Sequence, residues 1–346
     1  MTADIVLWLA QDGITNGAVY ALLALALLLV FSVTRVIFVP QGEFISYAAL
    51  SLALLQAGQV PGVVYVLVLA GIAAFLFDAF QALRAGSFRR LGWSFAAYVA
   101  FPCAMAALTW WAAPQKPDLF WRVLLVIGLV APLGPIVYRV AFQPLANASV
   151  LVLFIAAIAV HYVLQGLGLI FFGGEGLRSA AFTDARFKLG AIEASGQSLL
   201  VVGASVAVMA VLWLFFGRSI YGKALRATAV NRIGARLSGI RTELAGRLAL
   251  LLAALIGTLS GILIGPLTTI YYDTGFLIGL KGFVGAILGG MASYPFAVVG
   301  SIALGLLEAY ASFWSSAFKE TIVFLVIIPP LIWLSLRSRH VEEEEE

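Results

Sequence analysis

The chain is a succession of long apolar runs, separated by short stretches that contain charges, Gly or Pro. Most runs reach the roughly 20 residues that a helix needs to cross a bilayer, and a helix satisfies its own backbone hydrogen bonds in lipid. The pattern predicts an all-α polytopic membrane protein with about 10–11 transmembrane or half-membrane helices, forming one membrane domain over residues 1–346. The eleven segments lie near 8–33, 42–57, 61–79, 93–112, 120–138, 149–172, 197–217, 248–271, 276–291, 294–313 and 320–336.

Two of these segments, 42–57 and 276–291, are short for a crossing helix and lie in opposite halves of the chain. Each has an ionisable residue near its start, Glu43 in the first and Lys281 in the second. Short or interrupted segments in corresponding halves are typical of a transport path, and charges inside membrane segments usually face a protein interior or a water-filled cavity. Alternatively, Glu43 caps a helix N-terminus and Lys281 snorkels towards the membrane surface. The residues of the candidate substrate path are Gln41, Gly42, Glu43 and Lys281.

Residues 218–247 form a long basic loop, with a third of the 21 Lys and Arg residues against one acid, Glu243. The positive-inside rule places this loop in the cytoplasm. If all eleven segments cross, the N-terminus lies outside the cell, the C-terminus lies inside, and most Lys and Arg residues fall on the cytoplasmic side. Residues 173–196 are then an extracytoplasmic loop, and residues 337–346 an acidic cytoplasmic tail.

Within the basic loop, the sequence predicts two short helices rather than an extended chain. Residues 219–229 are good helix formers, and Asn231 is a candidate N-cap for a second helix that ends at Gly239. Such a helix offers small and apolar contacts to a partner, together with a basic edge; the alternative is a solvated anchor whose arginines meet lipid phosphates. The apolar contacts would come from Ala227, Ala235, Leu237 and Ile240, and the basic edge from Arg232 and Arg236.

Composition supports the membrane class, with 62% hydrophobic and 11% charged residues. The single cysteine, Cys103, excludes an intrachain disulfide, and two histidines exclude a multi-histidine metal site. Gly217, Gly222 and Lys223 have the spacing of a phosphate-binding loop, but Ala224 follows where a hydroxyl is needed, and a membrane helix precedes the motif. We therefore expect no cofactor, metal or nucleic acid on this chain, and any ATP would bind to another chain.

Gly257, Gly261 and Gly265 repeat every fourth residue on one predicted helix face. This spacing permits very close helix contact, so packing is the favoured interpretation, with a moving pivot as the alternative. His161 lies within an apolar run, and we expect it to bond to a neighbouring helix rather than to relay protons.

The basic loop, GKALRATAVNRIGARLSGI, resembles the cytoplasmic coupling loop of permease subunits in ABC importers for branched-chain amino acids. Two positions depart from that pattern: Val230 stands in place of an acid, and Gly234 in place of an alanine. The matching positions are Gly222, Ala224, Arg226, Ala227, Asn231, Ala235, Arg236, Leu237, Gly239 and Ile240.

Two further blocks, in the same order as in that family, extend the resemblance. Residues 12–44 resemble the opening of these permeases, although residues 38–41 depart from the family pattern. Residues 279–309 resemble its late short helix and the glycine-rich stretch after it, with Phe296 in place of a glycine. Matches in the first block are Asn16, Gly17, Tyr20, Ala21, Leu22, Arg35, Val36, Ile37, Gly42 and Glu43.

The resemblance implies a single permease domain of the cell inner (plasma) membrane. Its partners would be a second permease subunit, identical or different, two cytoplasmic ATPase subunits that use ATP, and an extracytoplasmic substrate-binding protein. The substrate would be a branched-chain amino acid, with other amino acids, amides or urea as related possibilities. Docking of the ATPase subunits would involve Gly222, Arg226, Ala227, Asn231, Arg232, Ala235, Arg236 and Gly239.

Two other classes of function remain as alternatives. An ion-coupled secondary transporter would more often carry several acids or an Asp/His chain inside its spans, whereas Asp78 and Glu308 fall near segment ends, as Glu43 does. A membrane-embedded enzyme would need a dense constellation of His, Asp or Glu, or a nucleophile beside a base, and neither pattern is present in the sequence.

Overall fold

The structure is a computed structural model, which describes residues 3–86, 88, 91–189, 192–290, 293–332 and 336. Within these residues, eight helices are long and apolar enough to cross a membrane. One two-stranded antiparallel hairpin, β1 Arg186–Leu189 and β2 Ile192–Ser195, accompanies them. The fold is therefore that of an all-α polytopic membrane protein, as the hydrophobic pattern predicts.

The α-helices differ widely in length, and two of the long apolar spans are composite. Leu91–Gln115 joins α4 and α5 through a π-helical turn, Ala96–Ala100, and Leu119–Phe142 joins α6 and α7 to a second π-helical turn, Tyr138–Phe142. The α-helices are α1 Ala3–Thr34, α2 Gln41–Ala57, α3 Val63–Ala85, α4 Leu91–Phe95, α5 Phe101–Ala112, α6 Leu119–Val130, α7 Leu133–Val137, α8 Val150–Phe172, α9 Gly196–Arg218, α10 Ile220–Val230, α11 Arg232–Leu237, α12 Thr242–Ile264, α13 Thr274–Leu288, α14 Tyr294–Trp314 and α15 Lys319–Leu325.

Both segments that the sequence marks as short are short helices, α2 with 17 residues and α13 with 15. The segment predicted over 320–336 is not one long helix, because α15 ends at Leu325 and a turn follows at residues 326 and 327. Pro329 and Pro330 lie just beyond this turn; proline lacks the N–H that a continuous helix needs, which explains the shorter element. The hairpin lies in the loop that the sequence places outside the cell.

Contacts divide the chain into two compact units. The larger one contains residues 29–182 and 212–277. At its centre, α2 packs along α12 through glycines: a Cβ on Gly257 would approach Phe44 Cβ at 3.0 Å, and one on Gly261 would lie 2.3 Å from the carbonyl oxygen of Ile45. Gly265 continues the same face beside Ala49. The absence of side chains at these positions lets the backbones of α2 and α12 approach closely.

The smaller unit contains residues 1–28, 183–211 and 278–346. Here the first part of α1 packs on α14, again through small residues. A Cβ on Gly13 would lie 2.7 Å from Leu306 Cα, and one on Gly17 would lie 2.8 Å from Ile302 Cα. Gly305 is in equally close contact with the carbonyl oxygen of Gly13, so each helix leaves room for the other's backbone.

Candidate functional site

Helix α2 begins deep within the larger unit rather than at its edge. Its first residue, Gln41, donates a hydrogen bond from Nε2 to the carbonyl oxygen of Ala253, at 2.9 Å. Ala253 lies halfway along α12, about 17 Å from its start at 1.5 Å per residue. The N-terminus of α2 is thus placed beside the middle of a membrane-spanning helix, which is the position typical of discontinuous helices at transport sites.

Helix α8 also contacts the first turn of α2. Glu43, in the first turn of α2, has its Oε1 atom 2.8 Å from Nδ1 of His161, and both side chains are buried. His161 lies at the middle of α8 and contacts α2, so it meets a neighbouring helix as expected. Two long helices therefore locate the start of α2 independently at mid-membrane depth.

The start of α13 completes this region. Gly42 and Gly275 meet backbone to backbone: a Cβ on Gly42 would lie 2.2 Å from the Gly275 carbonyl oxygen, and one on Gly275 would lie 2.0 Å from that of Gly42. Ser46 accepts a hydrogen bond from the Gly275 N–H at 2.8 Å and donates one to the carbonyl oxygen of Tyr271 at 3.1 Å. The two short helices of the chain therefore meet at their first turns.

Phe276 follows Gly275, and its ring stacks on the His161 ring with centroids 4.4 Å apart. We call Glu43, His161 and Phe276 the Glu43 site. Within the described part of the chain, neither carboxylate oxygen of Glu43 has a hydrogen-bond partner that satisfies normal geometry, although Nδ1 of His161 is within ion-pair distance. No side-chain hydrogen bond caps α2, so Glu43 does not cap the helix in this structure.

Lys281 has a different environment, in the smaller unit. Its Nζ atom lies 2.6 Å from Glu308 Oε1 and 3.0 Å from Glu320 Oε1. Tyr20 donates a hydrogen bond to Glu308 Oε2 at 2.6 Å. This Lys281 network, made of Lys281, Glu308, Glu320 and Tyr20, joins α13 to α14, α15 and α1, and the lysine does not snorkel to a surface.

Glu43 and Lys281 thus belong to different compact units, each with its own neighbours. The sequence drew attention to both but missed their partners, Phe276, Glu308 and Glu320. Glu308 could have been found, since an acid within an apolar segment needs a partner, and Lys281 lies in the preceding apolar segment. Nothing in the sequence pattern singles out Phe276.

The basic loop folds into α10 and α11, as predicted. Asn231 accepts a hydrogen bond from the Gly234 N–H at 2.8 Å, which caps α11, and Gly239 ends the helix with φ +83°. Ala235 is buried against its own chain, whereas Leu237 is 85% exposed. Four large aliphatic side chains of these helices are exposed, and we call them the basic-loop surface: Ile220, Val230, Ile233 and Leu237.

Some arginines of the basic loop are bonded to the rest of the chain, and others are exposed. Arg232 donates from Nη1 to the carbonyl oxygen of Ala146 at 2.9 Å, and Arg247 donates from Nη2 to Gln143 Oε1 at 3.0 Å. Both side chains therefore fasten the loop to its own unit. Arg226 is exposed between the apolar side chains of α10. The loop is thus held rigidly on one side and presents apolar and basic groups on the other.

Two short helices that meet beside the middle of long membrane-spanning helices are an arrangement typical of transport proteins. The family model described as "Branched-chain amino acid transport system / permease component" matches residues 9–331, so the chain belongs to this family. It is a family of transporters rather than enzymes, and the chain is a multi-pass inner membrane protein.

Curated relatives agree with this assignment. The permease protein LivH of the high-affinity branched-chain amino acid transport system of Escherichia coli (strain K12) is 28% identical over 213 residues, which cover 60% of this chain and 69% of LivH. BraD of Pseudomonas aeruginosa is 28% identical over 60% of this chain and 70% of its own. A probable LivH of Methanocaldococcus jannaschii is 30% identical over 58% of this chain and 65% of its own.

Proposed function

We propose that the chain is the membrane-spanning permease subunit of an ATP-driven ABC importer. It forms the translocation path for branched-chain or related amino acids, which an extracytoplasmic binding protein delivers. A second permease subunit, the same or different, completes the membrane part, and two cytoplasmic ATPase subunits use ATP. The relatives named for branched-chain amino acid transport support this substrate class.

The basic-loop surface carries the proposal. Ile220, Val230 and Leu237 are each more than 80% exposed on two helices that protrude between α9 and α12. Large apolar side chains that are clustered, exposed and bordered by cations mark a protein-interaction surface. In a permease of an ABC importer, the partner at this position is an ATPase subunit, which supplies the energy that the chain itself cannot.

The test uses the full complex reconstituted in vesicles with its ATPase subunits and binding protein. Replacing Ile233 and Leu237 by Asp places two charges on the docking surface, so ATP-dependent leucine uptake should fall at least tenfold and ATPase subunits should no longer co-purify. The matched control is Ile233→Leu with Leu237→Met, which keeps the apolar surface and should keep uptake within about twofold. Both replacements avoid Ala235, whose burial would confuse docking with folding.

Full uptake by the Asp variant would exclude this surface as the docking site. Uptake by the permease without ATPase subunits, driven by an ion gradient, would instead favour a secondary transporter.

We further propose that the N-terminus lies outside the cell and that the basic loop and the C-terminus lie in the cytoplasm. The exposed Lys223 and Arg226 of α10 support this orientation. A fluorescent reporter that matures only in the cytoplasm should be bright when fused after Arg232 and dark when inserted near Asp184. A bright signal at Asp184 would contradict the proposed orientation.

A further inference from the structure

Glu43 has a buried carboxylate, and in the described residues no permanently charged cation lies within ion-pair distance of it. The side chain is fully buried at mid-membrane depth, where an uncompensated charge is costly. Among the residues that the structure describes, its neighbour within ion-pair distance is His161, which is charged only when protonated. The carboxylate oxygens can therefore accept a hydrogen bond from a further donor.

The first turn of α2 does not supply that donor. The Glu43 N–H bonds to the carbonyl oxygen of Pro40 at 3.1 Å, and no backbone N–H of the turn is capped by a side chain. Tyr47, one turn later, directs its hydroxyl to the Leu164 carbonyl oxygen at 2.5 Å. The nearby groups that could have donated to Glu43 are thus committed elsewhere.

A metal ion does not fit these surroundings. Within the described residues, no group of three or more His, Cys, Asp or Glu side chains is arranged to hold one. The Glu43 site combines one carboxylate with an imidazole and the stacked Phe276 ring. A buried carboxylate beside an imidazole that stacks on a phenyl ring suits an organic ammonium group, which brings three N–H donors and can lie against an aromatic face.

Gly42 and Gly275, the residues before Glu43 and Phe276, pack backbone to backbone where an ammonium group would have to enter. The contact itself is between the two backbones, and one side chain, Ser46, also links the turns by accepting from the Gly275 N–H and donating to the Tyr271 carbonyl oxygen. Separation of the first turns of α2 and α13 would therefore cost these two hydrogen bonds but would break no ion pair.

We propose that Glu43 binds the ammonium group of the transported amino acid, which takes a place beside the carboxylate next to His161. This inference rests on the proposed function and specifies which substrate group is recognised. Phe276 and His161 form the wall of the binding site, and the apolar side chain of the substrate lies away from Glu43.

The test is chemical labelling of the permease alone in lipid nanodiscs. A lipophilic carbodiimide reacts with a protonated buried carboxyl group, and peptide mass mapping gives the labelling rate at Glu43. Leucine and its decarboxylated analogue 3-methylbutylamine should slow labelling at least fivefold, because a bound ammonium keeps the carboxylate ionised. The analogue 4-methylpentanoate, which lacks the amino group, should have no effect.

Labelling at Glu308 serves as an internal control, because that carboxylate already has Lys281 and Tyr20 as partners and its rate should not respond to leucine. In the reconstituted complex, Glu43→Gln should reduce leucine uptake at least tenfold while co-purification of the ATPase subunits is unchanged. The matched control on the same helix is Ser51→Ala, a buried position two turns further on, which should keep uptake within twofold.

Equal protection by 4-methylpentanoate, protection by NaCl alone, or no protection by leucine would each overturn the proposal. Normal uptake by the Glu43→Gln variant would also overturn it. The labelling experiment needs no ATPase subunit, so protection by leucine without ATP-dependent uptake would contradict the proposed importer and leave the ammonium site standing. ATP-dependent uptake without protection of Glu43 by leucine would contradict the ammonium site but not the proposed importer.

Discussion

Glu43 and Lys281 are both buried ionisable side chains, but they differ in how many oppositely charged partners surround them. Lys281 has two carboxylates within 3.0 Å, and one of them also accepts from Tyr20. Glu43 has a single histidine within ion-pair distance and no hydrogen bond of good geometry in the described residues. The lysine of one cluster is paired with two carboxylates, although Glu320 Oε2 has no hydrogen-bond partner among the described residues, whereas both carboxylate oxygens of Glu43 have capacity for a further donor.

This difference predicts a structural role for the Lys281 network and, on our proposal, a binding role for Glu43. A buried ion network whose lysine has two carboxylate partners fixes the positions of the helices that it joins, here α13, α14, α15 and α1. A buried charge with an incomplete partner set is usually retained because something else binds there. The two clusters should therefore respond in opposite ways to mutation.

The largest expected effect is on stability when Lys281 is changed. Lys281→Met leaves Glu308 and Glu320 without their cation, which should cost about 3–5 kcal/mol of unfolding free energy. The measurement is thermal unfolding of the purified permease in detergent, together with its yield in the membrane. Two changes test the cause separately.

Adding Glu308→Gln to Lys281→Met removes the unpaired carboxylate and should recover part of the loss, as in a double-mutant cycle. Lys319→Met is the matched control, because Lys319 is half-exposed and lies 3.9 Å from Glu320, so its loss should cost about 0–1 kcal/mol. Equal destabilisation by Lys281→Met and Lys319→Met would show that the network is not a structural element.

Replacing Glu43 is expected to change stability much less than replacing Lys281. Glu43→Gln removes a buried charge without depriving another charge of its partner, so the unfolding free energy should change by about 1 kcal/mol or less, or rise. The measurement is the same unfolding curve, in the absence of amino acids. A loss as large as that of Lys281→Met would place Glu43 among the structural ion pairs and erase the distinction between the two clusters.

Several features of the fold followed from the sequence because they depend on local chemistry. The long apolar runs predicted the spans, since lipid requires a helix wherever about 20 apolar residues cross it. Asn231 and Gly239 marked the ends of α11, because capping is decided by the residue itself and its immediate neighbours. The glycines of α12 were correctly recognised as a regular face, but not the helix that packs on it.

The basic loop shows where such local inference stops. Ala235 and Leu237 lie two residues apart and both resemble contact residues in the sequence, yet one is buried and the other is exposed. Which face of a short helix turns inward depends on what lies beneath it, here the unit to which Arg232 is bonded. Of the candidate docking residues, Gly222 and Ala235 are buried, whereas Arg226, Asn231 and Arg236 are exposed. Their role in docking stays a prediction.

The sequence by itself determined that this chain is a polytopic membrane protein, where most of its spans lie and which two short segments are exceptional, because hydropathy, length and charge act along the chain. That it is a permease was implied by its resemblance to a family. Only the tertiary structure decided that Glu43 faces His161 and that Lys281 faces Glu308. Glu43 and His161 are more than a hundred residues apart in the sequence, and Lys281 and Glu308 are 27 residues apart. Long-range contacts depend on how helices pack, and packing in a membrane is governed by small residues such as Gly42 and Gly275, whose partners the sequence pattern does not reveal.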